Sequence, residues 1–187
     1  MSAPGYVSKS EMRDVKLFGP AITGIRTIYL ERSKGKEAKN YVKAEIKERQ
    51  NQIDRLGYGD FMIFPEGTTT NNECLLMYKR GAFEHLYPVN PVVIKYEGPY
   101  LIPTFEAMPA VATLCFAMCV PYGKVTCTVL PPFKPNEYLY ENFKHFGKEK
   151  PEIFAEAIRS ISSEVSGLPK VENQFLPEKL EFKKRIV

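Results

Sequence analysis

Tryptophan is absent from this chain of 187 residues, histidine occurs twice and cysteine four times. Cys74, Cys115, Cys119 and Cys127 form no C-x-x-C pair, and His85 and His145 are the only imidazoles. The usual zinc ligand sets cannot be assembled from these residues, so no metal site is expected. Unpaired thiols suit a reducing compartment, and Cys115 and Cys119, four apart in an apolar run, read as buried core fillers. A large surplus of one charge is lacking as well. The 26 Lys+Arg against 22 Asp+Glu leave +4, far from the concentration of positive charge that a phosphate-backbone binder needs, so nucleic acid is not an expected partner. The first residues, MSAPGYVSKSEMRD, have no apolar stretch of signal-peptide length and are too acidic for a good transit peptide.

An uninterrupted apolar run long enough to cross a bilayer is also missing. Residues 101–120, LIPTFEAMPAVATLCFAMCV, have about the required 20-residue length, but Pro103, Glu106 and Pro109 break them. The charge-free remainder, residues 110–120, would rise only ~17 Å as a helix. It reads as a buried helix or as a segment docked on lipid or a hydrophobic partner without spanning.

What is present points to an ordinary globular domain. The 44% hydrophobic content at this length supports a core without disulfide or metal staples. Fifteen prolines favour short elements and loops over a helical bundle. Residues 25–30 read as a strand, and residues 35–56 as an amphipathic helix with Ala38, Val42, Ile46 and Ile53 on its buried stripe. Phe61-Met62-Ile63-Phe64, PVVIKY at 91–96 and KVTCTVL at 124–130 read as further strands. Pro151 opens a last helix whose expected buried face is Ile153, Phe154, Ala157, Ile158, Ile161 and Val165, and Gly167 closes it. Strands alternating with helices predict an α/β fold, with a mixed, mostly parallel sheet flanked by helices. One domain is expected over residues 1–168, followed by a loose charged tail at 169–187.

The stretch with most chemistry follows Phe61: FPEGTTTNNECLLMYKRGAFEHLYPVNPVVIKY. Pro65 cannot continue a ladder, Glu66 offers a carboxylate, Gly67 admits close approach to the backbone, and threonines supply hydroxyls. Polar groups at the carboxyl end of an α/β strand are a common ligand site, although Pro-Glu-Gly-Thr could equally be a tight turn capping the next element.

These residues resemble the F-P-E-G-T block of the glycerolipid acyltransferases. The longer run IFPEGTTTN, then Lys79-x-Gly81-Ala82-Phe83 and Pro88-Val89-x-Pro91-Val92, is similar to the lysophosphatidylcholine acyltransferase branch. Ile28-Tyr29-Leu30-Glu31-Arg32 resembles the family's second block, with Arg26 standing where that block has glycine. The resemblance implies an acyltransferase-like fold, transfer of an acyl group from acyl-CoA as co-substrate, and no covalently bound cofactor. It implies that Arg32 meets the acceptor's phosphate, where a guanidinium can donate two parallel hydrogen bonds. Glu66, Gly67 and Thr68 would bind the acceptor's glycerol portion. Lys79, Gly81 and Pro91 would belong to the acyl-donor region, with Lys79 and Arg80 reading either as contacts to coenzyme A phosphates or as a solvated face.

The family's first block, H-x-x-x-x-D, supplies the general base and the residue that orients it. Neither histidine begins such a block: Asn90 follows His85 at the required distance and Lys150 follows His145. No catalytic residue is therefore assigned, and the chain is expected to be N-terminally truncated relative to the family. Two expectations follow. The first is a catalytically silent structural or lipid-binding subunit, in contact with a membrane surface or phospholipid and with other protein chains of a larger complex. The second is the C-terminal portion of an active acyltransferase. Endoplasmic reticulum and mitochondrial inner membrane are both compatible with the sequence.

Overall fold

A computed structural model describes residues 5–14, 19–25, 27–30, 35–56, 61–68, 70, 73–97, 115–116 and 118–172. Contacts cluster into two compact units, Met1–Phe64 and Pro65–Val187.

In the first unit, β1 (Gly5–Lys9) is followed by a short 3-10 turn (Ser10–Asp14), α1 (Gly19–Gly24), β2 (Ile28–Leu30), α2 (Gly35–Leu56) and β3 (Phe61–Met62). The strand order is β2-β1-β3 and both pairings are parallel, Val7 lying opposite Ile28 and Gly5 opposite Phe61. Parallel strands in one sheet need a long crossover, and α2, about 33 Å at ~1.5 Å per residue, carries the chain from β2 on one edge past β1 to β3 on the other. Val42 and Ile46 on its buried stripe close over Ile28, with Val7, Phe61 and Ile63 packed against them. Tyr41 on another face is exposed. The side chains of Ala38 and Ile53 lie outside the described residues. The central strand, GYVSK, was not expected, because it has no run of β-branched or aromatic residues. Pairing on both sides, not its own propensity, makes it a strand.

The second unit holds an antiparallel pair, β4 (Val92–Glu97) and β5 (Lys124–Val129), in register from Val92 opposite Val129 to Glu97 opposite Lys124. Two helices follow, α3 (Glu137–Asn142) and α4 (Lys150–Ser166). Asn136 caps α3 by accepting the Leu139 N–H at 2.9 Å. Glu149 and Glu152 form a reciprocal capping box on α4, Pro151 sits in its first turn, and Gly167 ends it at φ +73°, a conformation that favours glycine. The core gathers around α4: Phe83, Leu139, Tyr140, Ile153, Phe154, Ala155, Ala157 and Ile158 are buried together. These elements, with the parallel sheet and its helices, make an α/β fold.

The buried face of α4 departs from the expected one in its second half. Val165 is 42% exposed and Ile161 half-buried, whereas Arg159, Ser162 and Ser166 are buried. Most of these polar groups find partners inside: Ser162 Oγ donates to the Ile158 carbonyl at 2.8 Å, Ser166 Oγ donates to the Ser163 carbonyl at 3.3 Å, and Arg159 Nη2 donates to main-chain carbonyls of Leu75 and Val171. Residues 169–172, expected in a loose tail, belong to the folded unit. Leu75 N–H donates to the Pro169 carbonyl at 2.9 Å and Val171 N–H to the Leu75 carbonyl at 3.0 Å, so backbone pairing holds this segment in place.

Of the apolar segment 101–120, residues 101–114 and 117 lie outside the described residues. Cys115 and Cys119 are exposed, contrary to the expectation of buried thiols, and so are Phe116 (53%) and Met118 (79%). Among the described residues, no helix is long and apolar enough to cross a membrane.

Candidate functional site

In the second unit the chain enters the Pro65–Thr68 turn, and its geometry follows from its residue types. The Pro65 carbonyl accepts the Lys79 N–H at 2.8 Å, which ties the turn to the segment that follows. Gly67 has φ +64°, and a Cβ there would lie 3.1 Å from Lys79 Cδ and 3.2 Å from its Cε and Nζ. The backbone angle is what calls for glycine here; the lysine stem laid across it would only have to shift by a few tenths of an ångström. Lys79 and Gly67, expected in two different subsites, are brought together.

Glu66 is half-buried, and its Oε2 accepts the Leu76 N–H at 3.0 Å. Burial pushes its carboxyl above the ordinary 4.5, while the Leu76 hydrogen bond and the positive charge of Arg159 pull it back. Tyr78 belongs to the same cluster. Burial raises its phenol, a side-chain hydrogen bond with Ser162 lowers it, and the charges of Glu66, Arg159 and Glu156 all act on it.

Arg159, from the middle of α4, has no exposed surface. Its Nη1 lies 2.9 Å from Glu156 Oε2 and 3.7 Å from Glu172 Oε1, and its Nη2 donates to the carbonyls of Leu75, at 3.2 Å, and Val171. Its buried Nε has no hydrogen-bond partner among the described residues. Sequence reasoning missed this residue. The available signal was the run of small polar positions on its side of the helix, Ser162 and Ser166, which marks a face buried against backbone and not against apolar side chains.

The other expected site residues fall as follows. Thr68 is half-buried in the turn, and Gly81 lies in the 3-10 turn Arg80–Ala82. Arg80 is engaged by carboxylates, at 3.2 Å from Glu84 and 2.9 Å from Glu149, which hold its guanidinium firmly charged. Pro91 is buried, and its carbonyl accepts the Leu130 N–H at 2.9 Å, joining the ends of β4 and β5. Arg32 and Arg26 lie outside the described residues. His85 packs its ring edge-on against Tyr87, and His145 lies against Phe143 and Phe146.

Residues 3–95 match the acyltransferase family model, and the parallel sheet with flanking helices is the α/β arrangement expected of it. The chain belongs to that family. It is 32% identical over 177 residues to lysophosphatidylcholine acyltransferase 1 of Danio rerio, covering 94% of this chain and 32% of that protein. Lysophosphatidylcholine acyltransferase 1 of Homo sapiens is 31% identical over 170 residues, covering 90% and 30%. Lysophosphatidylcholine acyltransferase 2 of Homo sapiens is 26% identical over 174 residues, covering 92% and 30%. The chain thus spans about a third of the length of the curated relatives it matches. No solved structure matches it.

Proposed function

We propose that these 187 residues are the acceptor-binding portion of a lysophospholipid acyltransferase: they hold a lysophospholipid and do not by themselves transfer an acyl group to it. The observation that carries this reading is the Pro65–Thr68 turn, where Glu66 is fixed through Oε2 and Lys79 is laid over Gly67. With Oε2 engaged, Oε1 accepts the glycerol hydroxyl of the acceptor, and the Lys79 ammonium meets its phosphate. A carboxylate on the turn and an ammonium laid across it suit the two ends of a glycerophosphate. In the full reaction that hydroxyl attacks the thioester carbon of acyl-CoA, the C–S bond breaks and the hydroxyl proton passes to a general base. The H-x-x-x-x-D block that would supply this base is not among these residues.

Titration calorimetry with short-chain lysophosphatidylcholine below its micelle concentration, run beside a turnover assay with acyl-CoA, tests the proposal. Saturable binding without turnover above a protein-free control is expected. Turnover by the 187 residues alone would overturn it, as would the absence of binding.

The acceptor is a lipid, and the proposal extends to membrane docking through the exposed Phe116, Met118 and Tyr122. Phe116→Glu with Met118→Glu, at exposed positions, should leave the fold intact and cut co-flotation with phosphatidylcholine vesicles several-fold, since each introduced charge resists burial in lipid. Unchanged flotation of the double variant would remove this surface from the proposal.

A further inference from the structure

One peptide group joins Arg159 to Glu66. The carbonyl of Leu75 and the N–H of Leu76 are the two ends of the same peptide bond. Arg159 Nη2 donates to that carbonyl at 3.2 Å, and Glu66 Oε2 accepts from that N–H at 3.0 Å. The carbonyl also accepts the Val171 N–H at 3.0 Å, so the peptide is clamped from both sides. A cation at the carbonyl end polarises the peptide and strengthens the hydrogen bond its N–H makes, because bonds in such a chain reinforce one another in a low-dielectric interior. The arginine has no exposed surface, so solvent does not screen it. Its two nearest carboxylates are unequal: Glu156 is mostly buried, while Glu172 is 81% exposed and a weak competitor.

We propose that Arg159 is a positioning residue for Glu66, acting through the Leu75–Leu76 peptide to hold the carboxylate oriented for the acceptor. This rests on the reading of Glu66 as an acceptor-binding group. It also gives the second half of α4 a role beyond packing, since the helix carries a charge that reaches the turn without entering the binding surface. Lysine could supply the charge but not the same fork, because Arg159 addresses Glu156 and two carbonyls at once through a planar guanidinium.

The test begins on the unmodified chain by NMR. The Glu66 carboxyl carbon, the Leu76 amide and the Arg159 guanidinium resonances are followed with pH, and Glu66→Gln serves as the assignment control. Leu76 and Arg159 are each expected to show a transition at the Glu66 midpoint; in Glu66→Gln that transition should vanish from both, leaving Arg159 only the transitions of its partners Glu156 and Glu172. An Arg159 signal that ignores the Glu66 titration would overturn the proposal without any arginine variant having to fold. In Arg159→Met the Glu66 midpoint should rise, and Arg159→Lys should restore part of the difference. A folded variant with an unmoved midpoint overturns the coupling, because a purely structural arginine would not tune this carboxyl. Binding of short-chain lysophosphatidylcholine at neutral pH should weaken about tenfold in Arg159→Met, as expected for loss of one charge-assisted contact. If the midpoint moves and binding does not, the peptide coupling stands and the acceptor-binding reading of Glu66 fails, together with the orienting role.

Discussion

Replacing Phe154 by alanine should lower the unfolding free energy of the second unit by about 3–5 kcal/mol, the range for deleting a fully buried phenylalanine. Phe154 has no exposed surface. Its ring meets Phe83 edge-on, with centroids 5.2 Å apart at 71°, and stacks on Phe133 at 5.8 Å and 26°. Alanine would leave a void between two rings that are tethered to different elements and cannot both close over it. Because domains of this size hold only about 5–15 kcal/mol, such a loss is a large share of the total. Urea unfolding monitored by near-ultraviolet circular dichroism measures it. Phe154→Leu should cost much less, because most of the volume is kept. A loss below about 1 kcal/mol for the alanine variant would mean that this cluster is not the core of the unit.

Glu66→Gln should separate function from stability. The amide oxygen can still accept the Leu76 N–H, so the turn should persist, but the charge offered to the acceptor is gone. Binding of lysophosphatidylcholine should fall roughly tenfold to a hundredfold, the worth of one hydrogen bond to a charged group. Stability at neutral pH should not fall. Burial holds the Glu66 carboxyl above its ordinary 4.5, so the folded state binds this proton more tightly than the unfolded chain does. As pH rises from 4.5 through the folded-state midpoint, ionisation therefore costs the native state free energy, and the wild type loses stability that the glutamine variant keeps. Thermal unfolding of both proteins across that window should diverge as pH increases. A variant that binds the lipid like the wild type would remove Glu66 from the site, whatever its melting temperature.

The fold was legible where local signals and packing agree. Gly35–Leu56 and Lys150–Ser166 are bounded as their glycines and proline predict, because capping and helix-breaking act within a few residues. β4 and β5 were visible as apolar or alternating runs, and the Glu66–Gly67 pair was visible as a carboxylate and a glycine behind a strand. β1 was not, since GYVSK acquires strand geometry only by pairing with β2 and β3. Nor was the real face of α4. Periodicity counts apolar residues, so it favoured Ile161 and Val165 over Arg159 and Ser162, which are buried because backbone carbonyls wait for them.

By itself, then, the sequence determined the family, the α/β class, the limits of α2 and α4 and the residues of the Pro65–Thr68 turn, all of which depend on residue identity and short-range spacing, whereas α1 and α3 were not legible in it. Only the tertiary structure decided that Lys79 lies across Gly67, that Arg80 is committed to glutamates, and that Arg159 grips the peptide that holds Glu66. Those contacts join residues as far apart as Leu75 and Arg159, 84 positions along the chain. No local pattern encodes such a pairing, because it exists only once α4 and the segment around Leu75 have packed together and excluded the water that would otherwise satisfy each group separately.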